Sequence, residues 1–194
     1  MSEIQEFIDL LEEKKSRITV NLERPIYVQP EDRISYRAHR ILIILGSLNT
    51  KNGLSKEVVA CVDFLLRNTG YQRSFILQYF KGQKNIIEKL KHHNPSDDLV
   101  DTDRNIVQYK SVPWDLRFND MFLYLLMRDF VSFIGSKANL RAILTEKGKT
   151  YFPKASEIFS QELNFLDLFG SRVSEDKAIQ IITEVIPNTY WNQQ

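Results

Sequence analysis

Apolar residues along the chain recur mostly at three- and four-residue spacing, the signature of helices that bury one face. Ser2, with Gln5 three residues on, opens a capping-box pattern ahead of Ile4, Phe7, Ile8, Leu10 and Leu11. This predicts a first helix of about three turns ending near Lys14 and Lys15. Ile18, Val20 and Leu22 alternate with Thr19 and Asn21 as in a short strand, and Pro25 and Pro30 bracket an extended segment. Ile34, Ala38, Ile41, Leu42 and Leu45 give one apolar face to a helix over 33–48, with Arg33, Arg37 and Arg40 expected on the other. After a turn at Asn49–Gly53, Ser55 is placed to cap a second helix carrying Val58, Val59, Val62, Leu65 and Leu66. Gly70 is placed to end it as a left-handed residue. A third helix is expected over 71–80 and a shorter one near 85–91. The polar stretch from His92 to Asp103 reads as an excursion between elements.

The second half changes character. Trp114, Asp115, Leu116 and Arg117 lead into a strongly apolar helix from Phe118 to Phe130. Val131–Ile134 reads as a strand, Gly135–Asn139 as a hairpin turn, and Leu140–Leu144 as the returning strand. Thr145 then caps a further helical turn that Pro153 is expected to end. Two helices close the chain, over 156–169 and 174–186, the last with Ala178, Ile179, Ile182, Val185 and Ile186 on its core side. The fold class is therefore mainly α with a small β-hairpin (α+β).

A helix, a two-stranded hairpin and then Leu-Thr-x-x-Gly, here Leu144, Thr145, Glu146, Lys147 and Gly148, resembles the C-terminal half of a winged helix. The helices over 33–48 and 55–68 would complete that unit. The expected organisation is an N-terminal helix and extended arm over 1–32 and a winged-helix core over 33–155 with an insertion around 71–112. A C-terminal helical pair over 156–194 would follow, so that helical extensions flank the core at both ends.

Three further stretches widen the likeness: Tyr36 to Leu42, Val62 to Asn68, and Pro113 to Asp120. With the Leu-Thr-Glu-Lys-Gly wing they make residues 33–155 similar to the middle components of bacterial three-component ABC-ATPase conflict systems. The type most like it is the small winged-helix subunit of Lamassu-type anti-phage defence complexes. The resemblance implies a non-catalytic subunit on an SMC-like ABC ATPase, helping to couple the sensing of foreign DNA to a separate effector nuclease. A stand-alone winged-helix transcription regulator, or a structural protein without a nucleic-acid role, are the alternatives.

A DNA-reading winged helix presents Arg, Lys, Asn or Gln from the helix before the wing. Here that helix offers Asn119, Asp120, Arg128 and Asp129 and is otherwise apolar, which favours a packing surface for a partner. Trp114, Phe118, Met121, Phe122, Tyr124 and Leu125 are the residues expected at that interface.

Charge refines the picture. The 194 residues carry a formal net charge of +1, from 26 Lys and Arg against 25 Asp and Glu. That balance conceals blocks: residues 33–92 hold 11 basic and 3 acidic side chains and 131–155 hold 5 and 1, while 1–32 hold 4 and 8. Arg33, Arg37 and Arg40, at helical spacing, together with Lys137, Arg141, Lys147 and Lys149 of the wing, could touch the phosphate backbone of double-stranded DNA. A solvated surface or an acidic protein partner fits the same charges.

Catalytic constellations do not emerge. The seven glycines are scattered, with no phosphate-cradling loop, and no Gly-x-Ser-x-Gly elbow occurs. His92 and His93, near Asp97 and Asp98, read as a solvated loop rather than a metal site, His39 as a packed or surface residue, and Cys61 as a small buried hydrophobe. Glu175-Asp176-Lys177 has a nuclease-like spacing, but it opens a helix where acidic residues favour the dipole. The expectation is a protein that is no enzyme and needs no cofactor. The single cysteine, the acidic opening and a longest apolar run of only Ile41–Leu45 further suggest a reduced, cytoplasmic protein that does not enter a membrane.

Overall fold

A computed structural model describes Pro30, residues 33–83, Glu88, and residues 106–136, 139–170 and 172–187. The predicted N-terminal helix and arm, the short helix near 85–91, the His92–Asp103 excursion and Lys137 lie outside the described residues.

Helix α1 (Ile34–Ser47) is the axis of the fold. Its residues Ile41 to Leu45 are buried in succession, so the helix is enclosed all round rather than packed on one face. The chain leaves it through a turn at Asn49 and reaches Gly53, whose φ of 65° and contact with the Ala142 carbonyl leave no room for a side chain. Leu54 and Ser55 form a two-residue strand, β1, and Ser55 Oγ accepts from the Val58 amide to cap α2 (Lys56–Arg67), as its spacing predicts.

Gly70 is not a left-handed terminator. It lies in a 3-10 turn, Thr69–Tyr71, that runs directly into α3 (Gln72–Tyr79). Asn68 ends α2 instead, its side-chain amide donating to the Phe64 carbonyl at 3.0 Å.

Between α3 and the apolar helix stands a hairpin that periodicity did not predict, β2 (Ile106–Tyr109) and β3 (Val112–Asp115). Its two-residue turn holds Lys110 and Ser111 at φ 48° and 66°, the paired positive values of a type I′ connection. Helix α4 (Phe118–Met127) follows, then β4 (Val131–Ile134) and β5 (Arg141–Leu144). The three strands order β1-β5-β4, all antiparallel, with Leu54 opposite Ala142 and Val131 opposite Leu144. With α1, α2 and α4, this sheet makes a winged-helix core, and the β2–β3 hairpin belongs to an insertion between its second and third helices.

Thr145 joins three elements at one point. Its hydroxyl donates to the Asp129 carbonyl at 2.6 Å and accepts from the Gly148 amide at 3.0 Å, while its own amide bonds Phe130. A Cβ on Gly148 would overlap the Phe130 carbonyl, so the Thr-x-x-Gly spacing is what lets α5 lie against the end of α4.

Helix α5 (Glu146–Ile158) continues through Pro153 instead of stopping there. Proline forfeits one intrahelical bond, but Ala155, two residues on, is buried, and Phe152 packs on the bare backbone of Gly46. Helices α6 (Ser160–Asp167) and α7 (Glu175–Val185) complete the chain. They are not a separate module. Phe165 and Phe169 join Phe75, Tyr79 and Phe80 in one aromatic cluster, and Asn49 exchanges two 3.2 Å hydrogen bonds with the backbone of Val173.

Candidate interaction surface

Helix α4 has two distinct faces. Phe118, Met121, Phe122 and Leu125 point inward and are fully enclosed, with Phe118 edge-on to Phe122 at 5.2 Å and to Trp114 at 4.8 Å. Tyr124 and Trp114 are half-buried, Tyr124 packing on His39 and under the Arg128 guanidinium. The six residues expected to meet a partner are therefore core, in whole or in part. An apolar helix must bury its larger side chains against its own domain first, and that side claims them.

The outward face remains apolar nonetheless. Leu123 and Met127 are 54% and 80% exposed, Leu126 lies beside them, and Leu116, just before the helix, is 60% exposed. Helical spacing aligns Leu123 with Leu126 and Met127, and places Asn119 and Asp120 one turn before them. A base-reading helix would carry its donors here. This one carries aliphatic side chains, flanked by an amide and a carboxylate.

The arginines expected to hold DNA divide. Arg33 is exposed at the start of α1. Arg37 and Arg40 are each 1% exposed and cannot reach a phosphate. Arg37 pairs with Asp115 of β3, and Arg40 Nε donates to Asp63 Oδ1 of α2 at 2.7 Å. Arg67 bridges the two carboxylates, 2.8 Å from Asp115 and 3.9 Å from Asp63. Asp115 also accepts from the Arg117 amide at 2.8 Å. Three guanidinium groups thus share two carboxylates where α1, α2 and the inserted hairpin meet.

This cluster is electrostatically tense. Burial, reinforced by the neighbouring Arg67, lowers the Arg37 guanidinium to about 10. Burial alone would raise the Asp63 carboxyl, but Arg40 and Arg67 outweigh it and hold the group below its ordinary range.

On the wing, Arg141 is also committed to the fold. It pairs with Glu175 of α7 and donates to the carbonyls of Asn52 and Gly53 at 2.9 and 3.0 Å. The Glu175-Asp176-Lys177 opening of α7 thus has a structural use: Glu175 also accepts from the Ser55 amide. Lys147 and Lys149 are exposed, Lys147 over the Phe130 ring and Lys149 2.6 Å from Glu146. Of the candidate DNA contacts, Arg33, Lys147 and Lys149 stand at the described surface.

His39 is packed between the rings of Tyr124 and Tyr151, where burial lowers its pKa, and Cys61 is enclosed in α2. Among the described residues, no cluster of three or more His, Cys, Asp and Glu could hold a metal ion. None of the described helices is long and apolar enough to cross a membrane. No protein-family model, curated protein or solved structure matches the chain.

Proposed function

We propose that this chain is a non-catalytic winged-helix accessory subunit that docks on a partner protein through the outward face of α4. The observation that carries this reading is the exposure of Leu116, Leu123, Leu126 and Met127 where a base reader would present hydrogen-bond donors. Side chains of this kind gain little from DNA and much from desolvation against another protein. The motif resemblance over residues 33–155 supplies the partner: an SMC-like ABC ATPase of a cytoplasmic, Lamassu-type anti-phage complex. In that complex the subunit links the sensing of foreign DNA to a separate effector nuclease. Arg33, Lys147 and Lys149 give it an auxiliary, sequence-independent hold on duplex phosphates.

Co-expression with an SMC-like ATPase encoded beside the gene tests the reading. The wild-type chain is expected to co-purify with the ATPase. A Leu123→Asp/Met127→Asp variant, altered at two exposed positions, is expected to fold and to lose the partner. Failure of the wild type to bind, or full retention by the variant, overturns the proposal. Tight binding of the isolated chain to one operator, surviving competitor DNA, would instead make it a transcription regulator.

A further inference from the structure

A cleft of about 500 Å³ opens between the inserted hairpin, the first turns of α2 and α4, and the tip of the wing. That volume is in the range of ligand sites. One wall is aromatic, formed by Tyr109, nearly half exposed, and Trp114, their rings 5.2 Å apart. The floor carries Lys56, whose ammonium rests 5.2 and 5.1 Å from the Phe122 and Phe133 rings and 3.3 Å from Asn119 Oδ1. Among the described residues no carboxylate reaches Lys56 at ion-pair distance. Burial lowers its pKa, partly offset by the charge of neighbouring Glu57, so a half-buried cation lines an open cleft with two rings and one amide as its direct contacts. Lys110, paired with Glu57 at 3.1 Å, stands across from it, and the Asn119 and Asn139 amides complete the rim.

We propose that this cleft binds one nucleotide of a single-stranded nucleic acid. A phosphate satisfies Lys56 and draws on Lys110, the base lies against the Tyr109–Trp114 wall, and the two amides with Glu57 meet its edge. An acidic peptide would serve Lys56 equally. Its acidic side chains would leave the aromatic wall unused and would meet repulsion from Glu57. A duplex is excluded by shape, because its bases are stacked and paired and cannot enter a cleft bounded on both sides. The proposal shares only Asn119 with the border of the outward face of α4 and does not rest on that face holding an ATPase.

The test uses the full chain in a Trp191→Phe background, where Trp114 is the one remaining tryptophan of the two. A dT15 oligonucleotide is expected to quench Trp114 fluorescence saturably, and more weakly as salt rises. Lys56→Gln and Tyr109→Ser are each expected to weaken binding about tenfold. Lys110→Gln changes only an exposed side chain, so the fold is kept, and is expected to weaken it less. The same sequence as duplex is expected to bind at least about tenfold more weakly than the strand, and free dTMP to compete with dT15 for the site. The absence of quenching at millimolar oligonucleotide overturns the site. So does unchanged affinity in all three variants, or displacement of dT15 by an equal concentration of poly-glutamate.

Discussion

Arg37 and Arg40, three residues apart on α1, and Lys147 and Lys149, in the first turn of α5, are two pairs of helix cations that end in opposite environments. The first pair is sealed in the core, and the second stands in solvent. What separates them is the placement of carboxylates. Asp115, far along the chain on the inserted hairpin, and Asp63 on α2 come together over α1 and make burial of two guanidinium groups tolerable. Among the described residues, Lys149 pairs with Glu146, three residues away on its own helix. A row of basic residues on a helix is therefore not evidence of a binding face until the positions of its acids are known.

The largest expected effect follows from breaking the buried cluster on one side. Asp63→Ala leaves Arg40 and Arg67 without a carboxylate they share, at a cost of about 3–5 kcal/mol. For a chain of this size that is a fall in thermal midpoint of about 6–20 °C. Asp115→Ala has a similar cost and additionally frees the inserted hairpin from α1. A loss below about 1 kcal/mol in either variant, measured by denaturant unfolding, would mean the arginines are solvated after all.

Acid probes the same cluster without mutation. The Asp63 carboxyl titrates lower in the folded chain than in the unfolded one. Its contribution is therefore complete above the unfolded value of about 4 and disappears as pH falls through the depressed folded value. Unfolding midpoints measured downward from pH 5 are expected to drop more steeply for wild type than for Asp63→Asn. Parallel curves would remove Asp63 from the account.

Replacing both partners sharpens the comparison with a smaller effect. Arg40→Met/Asp63→Leu substitutes apolar groups for a desolvated ion pair and is expected to cost less than Asp63→Ala alone, within about 1.5 kcal/mol of wild type. The double-mutant cycle gives the coupling directly. A double variant as unstable as the single one would show that the charges are needed for more than mutual compensation, with Arg67 and Asp115 the groups left unbalanced.

Much of this architecture is legible in the residues themselves. Ser55 and Thr145 cap where their spacing says, the alternation at Val131–Ile134 and Arg141–Leu144 makes a hairpin, and Gly148 sits under a carbonyl that only glycine admits. The β2–β3 hairpin is not legible, because Lys110 and Ser111 adopt left-handed angles without the Asn or Gly that normally announces them. On α4 the apolar character is evident, but periodicity cannot say which side turns inward when both sides are aliphatic. Phe118, Met121, Phe122 and Leu125 were the natural choice for an interface and are the core, while Leu123 and Met127 are what the surface offers. The cleft has no linear signature at all, since its lining comes from α2, the hairpin, α4 and the wing.

The smallest stability effect belongs to the solvent-exposed side of the comparison. Lys147→Ala and Lys149→Ala remove charges whose folded-state contacts are one ring at 5.6 Å and one exposed pair with Glu146. Each is expected to change stability by less than about 1 kcal/mol, because an exposed pair gains little in water and is screened by salt. Their value lies in a different readout. If these lysines hold duplex phosphates, each substitution lowers the slope of log affinity against log salt by about one, uniformly across DNA sequences. An unchanged slope at full affinity would place the duplex elsewhere on the molecule, or nowhere, and would leave both lysines as solvated surface. Either result separates them from Arg37 and Arg40, whose substitution lowers stability first and DNA affinity only as a consequence.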